Sequence, residues 1–239
     1  MNGSNNHTIC VIPARGGSKR ITKKNIRPFN RKPIIYWSIK AAKESNLFDD
    51  VIVSTDDEEI AEIASSFGAT VPFLRPSSLS DDFTGILPVI NHAVSWYKEN
   101  IENVSAVCCI FATAPFIDYR KIVEGYEIFN KKKCSYVLSV TNYGFPVQRA
   151  FSLGSKGEIN LLFDDHIDKR SQDLEEVYHD AGQFYWCNID AVTQFESMFS
   201  KNSYPIVLPR YLVNDIDTED DWIMSEAMHV ALKNMEIIS

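Results

Sequence analysis

Long hydrophobic runs are missing from this chain. No apolar stretch approaches the ~20 residues that a membrane-spanning helix needs, so no membrane partner is expected. The start, Met1 to Thr8, is polar and has no apolar h-region, which argues against a secretory leader and for a cytoplasmic setting. Cysteine is sparse. The five present (Cys10, Cys108, Cys109, Cys134 and Cys187) are odd in number and include no C-x-x-C pair, which excludes a disulfide framework and a thiolate zinc site. Basic residues are outnumbered, 24 against 32 acidic, for a net charge of −8, the wrong sign for a nucleic-acid binder. The histidines His7, His92, His166 and His229 are scattered and form no metal spacing, and His179 stands beside Asp180 with no G-x-S-x-G elbow to complete a triad. There is no G-x-x-x-x-G-K-[ST] loop and no G-x-G-x-x-G fingerprint, which counts against a P-loop enzyme and an NAD-dependent oxidoreductase.

What is present describes an ordinary globular chain of 239 residues, 45% hydrophobic and 23% charged, read as one domain over 1–239. Short apolar runs alternate with amphipathic stretches. Strands are expected at Thr8–Pro13, Val51–Ser54, Thr70–Leu74, Ala106–Phe111 and Tyr136–Val140. Helices are expected at Pro33–Ser45 with Pro33 in the first turn, Asp57–Phe67, Ile86–Glu99 and Asp118–Lys131. Strands apolar throughout and separated by helices imply an α/β, Rossmann-like fold: a mostly parallel sheet covered on both faces. After Thr141 the helical period is lost. Residues 141–180 read as a small antiparallel insertion, with a hairpin at Phe151–Leu162 and a strand at Ala181–Asn188. A last helix starts after Thr218, its N-cap, with Asp221 at the third helical position.

Four segments carry chemistry. IPARGGSKRITKKN, Ile12 to Asn25, follows the first strand and holds Gly16, Gly17, Arg15, Lys19, Arg20, Lys23 and Lys24. Two glycines let backbone N–H groups approach an anion, the basic side chains supply countercharge, and the carboxyl end of a parallel strand is where α/β folds bind ligands. A triphosphate suits this loop; a solvated basic loop is the plainer alternative. DIDTEDDW, Asp215 to Trp222, sets Asp215 and Asp217 at i, i+2, on one side of an extended segment, where hard oxygen ligands select Mg²⁺ or Mn²⁺. The plainer alternative there is a helix-capping acidic cluster. KRSQDLEEVYHDAGQFYW, Lys169 to Trp186, sets polar groups over aromatics, which suits a sugar, with Arg170 available for a carboxylate. LRPSSLSDDFTG, Leu74 to Gly85, offers Arg75 and backbone groups to a base edge, while Thr84 could equally cap the next helix.

In this order the segments resemble the cytidylyltransferases that activate acidic sugars, the family of the CMP-sialic acid and CMP-KDO synthetases. The resemblance runs from about Thr8 to Trp222. IPARGGSKRITKKN is similar to the family's nucleotide loop, VSTDDEEIAEIASSFGA and FLRPSSLSDD to its next signatures, and DIDT to its metal motif. The stretches SVTNYGFPVQRA, RSQDLEEVYHDAGQFYW and PIVLPRYLVNDIDTEDDW resemble one branch, acting on a nonulosonic acid other than sialic acid. Where the sialic acid branch has Q-P-T-S-P this chain has Ala112-Thr113-Ala114-Pro115, and where that branch has N-G-A-I-Y it has Ala181-Gly182-Gln183-Phe184-Tyr185. The resemblance implies CTP as co-substrate, Mg²⁺ or Mn²⁺ held by Asp215 and Asp217, and catalysis by Arg15, Lys19 and Asp217. It implies nucleotide contacts from Ala14, Arg15, Gly16, Gly17, Ser18, Lys19, Lys24, Asn25, Arg75 and Ser80. Sugar contacts would come from Ala114, Arg149, Arg170, Gln183 and Tyr185. It also implies a homodimer built through the insertion. A legionaminic or sialic acid substrate, and a non-catalytic nucleotide sensor, are the competing expectations.

Overall fold

A computed structural model of the chain describes residues 6–166 and 168–238. The first five residues of the polar start, Ile167 of the insertion and Ser239 lie outside the described residues. Among the described residues, ten strands and six helices run in the order β1 (His7–Pro13), β2 (Pro28–Phe29), β3 (Lys32–Pro33), α1 (Ile35–Glu44), β4 (Asp50–Ser54), α2 (Glu58–Ser66), α3 (Ile86–Asn100), β5 (Val104–Ile110), α4 (Tyr119–Lys132), β6 (Tyr136–Asn142), β7 (Phe151–Leu153), β8 (Ile159–Leu161), β9 (Tyr178–Asn188), α5 (Ile189–Thr193), β10 (Ser203–Val207) and α6 (Glu219–Asn234).

Six strands form one sheet in the order β10-β6-β9-β5-β1-β4. The neighbours β4, β1 and β5 are parallel, as are β6 and β10, and only β9 runs against its neighbours. Both faces are buried, which is why these strands are apolar throughout. On one face Cys10, Ile12, Cys108, Phe184 and Trp186 meet α1 and α4; on the other Val11, Cys109, Tyr185 and Cys187 meet α3 and α5. Helix α4 comes close because position 125 is glycine: a Cβ there would stand 3.0 Å from the Trp186 ring and 3.1 Å from Phe184. The Trp186 indole N–H donates to the Ile122 carbonyl at 2.9 Å, so the ring is buried without an orphaned donor.

Two expected elements differ. Pro33 belongs to the short β2–β3 hairpin and precedes α1, which starts at Ile35. Thr70–Leu74 makes only single bridges to the β4 segment, at Ile52 and Thr55, because Pro72 cannot donate to a ladder. The remaining expected elements agree within two residues at most ends. Asp57 caps α2 by accepting from the Ile60 N–H at 3.1 Å, and Thr218 and Asp221 form a capping box on α6. The third hydrophobic cluster lies under α6, where Trp222 and Leu232 pack on Phe29, Ile34, Trp37 and Phe116. That packing seats the segment before α6 against the loop after β1.

Candidate active site

The loop after β1 lies at the carboxyl edge of the sheet, beside the ends of β4 and β5. Its backbone is tied to the end of β4 and to the turn that follows it. The Ala14 N–H donates to the Ser54 carbonyl at 2.9 Å, and the Gly16 N–H donates to Asp56 Oδ1 at 3.0 Å. Gly16 is obligatory for this seat, since a Cβ would lie 2.6 Å from Asp57 Oδ2 and 2.9 Å from Asp57 Cβ, and Asp57 is already committed to capping α2. Asn25 is buried and closes the loop from the other end, its amide donating to the Arg15 carbonyl at 2.8 Å.

These constraints open a cleft of about 380 Å³ between the loop, α3 and residues 75–85. Arg15, Ser18, Lys19, Lys24, Asn25 and Arg75 line it, with Ile86, Val89 and Phe111 forming its apolar side. Arg75 is 5% exposed, donates through Nε to Ser80 Oγ at 3.1 Å, and lies 3.8 Å from Asp56. Burial lowers its pKa from the ordinary arginine value, and Asp56 opposes that shift. An immobilised guanidinium at the back of a cleft presents a fixed donor fork to a ligand.

The acidic segment reaches the same loop from the far end of the chain. Asp217 accepts from Arg20 at 2.6 Å and stands 3.4 Å from Lys24. Partial burial, followed by the Asp217 carboxylate, raises Asp215, while Lys24 and Arg20 act in the opposite direction. The segment is held firmly. The Asn214 amide bonds to buried Ser225, and the N–H groups of Asp217 and Thr218 donate to Asp221 at 3.1 and 2.8 Å. Among the described residues no three His, Cys, Asp or Glu side chains gather into a metal site. The two carboxylates nonetheless suit Mg²⁺, which takes one or two protein carboxylates and completes its shell with phosphate oxygens and water. The chemistry of the donor set, two hard carboxylate groups on one short segment before α6, is what fits such a cation.

Other expected residues fall elsewhere. Ala14 and Ala114 are buried. Gly17 has open space where a side chain would stand. Gln183 is 4% exposed, and its amide donates to the Leu212 carbonyl of the segment leading to Asp215. Tyr185 lies in the core, its hydroxyl donating to Asp180; burial drives its pKa upward, with the Asp180 bond second. Arg149 donates to the Lys169 carbonyl and Arg170 pairs with Asp173 at 2.7 Å, both within the insertion and outside the cleft lining. The sequence reading counts Arg20 as countercharge for an anion, whereas it meets Asp217, and it gives no role to Asp81 and Asp82, which meet the basic loop. The Arg15 guanidinium donates to the Asp81 carbonyl at 2.7 Å and pairs with Asp82 at 2.8 Å, and Lys19 also pairs with Asp82. The only local signal was the DDFTG string itself.

A glycine-bearing basic loop at the carboxyl edge of a parallel sheet, with a buried arginine across the cleft and an acidic pair beside the loop, suits an anionic ligand. The cytidylyltransferase family model matches residues 9–210, and the chain belongs to that family. Pseudaminic acid cytidylyltransferase of Campylobacter jejuni is 41% identical over 213 residues, covering 89% of this chain and 92% of that one. CMP-N,N'-diacetyllegionaminic acid synthase of Legionella pneumophila is 30% identical, covering 92% and 95%. In solved structures the fold is shared with CMP:2-keto-3-deoxy-manno-octonic acid synthetase complexed with CTP, at a TM-score of 0.69 and 12% identity over 94% of this chain and 98% of that one. No helix among the described residues is long and apolar enough to cross a membrane.

Proposed function

We propose that this cytidylyltransferase converts CTP and pseudaminic acid to CMP-pseudaminic acid and pyrophosphate. The observation that carries the reading is the 41% identity to a pseudaminic acid cytidylyltransferase across nearly the whole of both chains. The anomeric hydroxyl of the sugar attacks the α-phosphate, the bond to the β-phosphate breaks, and no covalent enzyme intermediate forms. Such transfers depend on positioning and charge neutralisation. Arg15 and Lys19 hold the β- and γ-phosphates and meet the charge that grows on departing pyrophosphate. Lys24 and Asn25 fix the loop at the phosphates and ribose, and Arg75 with Ser80 faces cytosine. Asp215 and Asp217 would hold Mg²⁺, which when bound supplies Lewis-acid polarisation of the α-phosphate and acidifies the attacking hydroxyl.

The insertion is assigned to a second copy of the chain. Phe151, Leu153, Ile159 and Leu161 of β7 and β8 are 52%, 70%, 62% and 38% exposed, more apolar surface than a lone hairpin keeps in water. Covering it in a homodimer would carry Arg149 and Arg170 toward the partner's site, with Arg170 placed for the sugar carboxylate. The test is pyrophosphate release from CTP and Mg²⁺ with pseudaminic, legionaminic, N-acetylneuraminic acid and KDO in turn, and with ATP, GTP and UTP as controls. Release confined to CTP with pseudaminic acid supports the reading. Release with another of these sugars keeps the reaction and replaces the substrate. Silence from a folded protein that still binds CTP moves weight to an untested sugar or to a nucleotide sensor.

A further inference from the structure

The cations assigned to the leaving phosphates already have an anion. Asp82 stands against both Arg15, at 2.8 Å, and Lys19, and the Asp81 carbonyl takes a further Arg15 N–H at 2.7 Å. The loop that delivers these groups is prefolded for the task. The Asp81 carboxylate is taken up by its own exposed turn, accepting the Phe83 N–H at 3.0 Å and the Thr84 N–H and hydroxyl at 2.7 Å each, while Asp82 faces the basic loop. Lys19 and Arg15 in turn hold Asp82 ionised, below the usual aspartate range.

We propose that Asp82 is a specificity-determining residue: an internal anion that occupies Arg15 and Lys19 until a ligand carrying phosphates beyond the α position displaces it. The proposal rests on the phosphate roles given above to Arg15 and Lys19. One carboxylate charge is shared between two cations, so a diphosphate or triphosphate, with more charge and more acceptor oxygens, replaces it favourably. A monophosphate held at the α position does not reach either cation and gains nothing. After transfer, Asp82 returns to the same cations as pyrophosphate departs. The cleft thereby rates CTP and pyrophosphate against CMP by charge at one place, and pays for this with part of its affinity for both.

Exposed ion pairs of this kind are weak, so the change is modest: Asp82→Asn should tighten pyrophosphate binding, measured by calorimetry, and lower the CTP KM, each by about three- to tenfold. Binding of CMP should stay as in the parent. Asp82→Glu, which keeps the charge, should stay near the parent in all three. Weaker pyrophosphate binding in Asp82→Asn would overturn the proposal and mark Asp82 as a ligand-holding group. Equal tightening in the Asn and Glu variants would overturn it too, because loop geometry and not charge would then be the cause. Lys19→Ala separates the two levels: unchanged pyrophosphate binding there removes the phosphate role of Lys19 itself, whatever Asp82 does.

Discussion

His229 makes stability depend on pH in a window that the carboxylates leave largely alone. It sits on α6, 1% exposed, boxed by Phe29, Trp37 and Phe116 with ring centroids 5.3, 4.3 and 5.9 Å away. Its Nδ1 meets the Asn30 amide at 3.1 Å, and its Nε2 is buried with no hydrogen-bond partner. Burial, with smaller contributions from Lys233 and Lys40, lowers its pKa from 6.5 to about 4. The folded pKa lies below the unfolded one, so the unfolded chain binds the proton more readily. The stability that neutral His229 contributes is complete above about pH 6.5 and is lost as the pH falls toward 4. At about 1.4 kcal/mol per pKa unit, the whole loss is about 3 kcal/mol, of which about 2 kcal/mol falls between pH 7 and pH 5. For a chain of this size that is about 4–8 °C in Tm. Thermal unfolding of the parent and of His229→Gln at pH 7, 6 and 5 isolates the effect. Gln cannot titrate and can still meet Asn30, so the parent should lose about 2 kcal/mol more than the variant over that range. Parallel pH profiles for the two proteins would refute the reasoning, however stable the variant is at pH 7.

Three further outcomes are expected. Asp217→Ala removes the acceptor of Arg20 and one of the two carboxylates assigned to Mg²⁺, and turnover should fall about a hundredfold or more with the circular dichroism spectrum unchanged; near-normal turnover at ordinary Mg²⁺ would cancel the assignment. Gly16→Ala forces a Cβ to within 2.6 Å of the Asp57 carboxylate, so overpacking should cost about 1–3 kcal/mol in urea unfolding and raise the CTP KM. Thr218→Ala breaks the capping box of α6 and should lower stability by about 1 kcal/mol, read as about 2–4 °C in Tm.

Much of this architecture could be read along the chain because local chemistry sets it. The apolar run ending at Pro13, the Asp57 cap and the Thr218–Asp221 box are each specified within a few residues. The place of β9 was not legible in that way: AGQFYWCN reads as part of an antiparallel insertion, whereas β9 lies inside the main sheet, antiparallel to both β5 and β6. β10 was missed because Pro205 and a mostly exposed pattern disguise an edge strand. Within the site, the glycines and cations of the first loop announced themselves. The contacts of Arg15 with Asp81 and Asp82, and of Arg20 with Asp217, join residues 66 and 197 positions apart in the first and last cases, and no short-range pattern encodes them. The amide of Gln183 is likewise spent on the Leu212 carbonyl, a partner 29 positions away.

The docking of α6 also orders events during synthesis. All six strands of the main sheet are complete once Val207 has left the ribosome, so the core can close while the last part of the chain is still being made. The basic loop then stands with Asp81 and Asp82 beside it but without the acidic segment of residues 215–217. Arg27 gains Glu219 at 2.6 Å, and Asn30 gains Glu226 at 2.8 Å, only when α6 arrives. A nascent chain halted at Val207 would hold all six strands of the sheet and the basic loop but lack Asp215 and Asp217, so the turnover proposed here becomes available only once α6 docks and seats them.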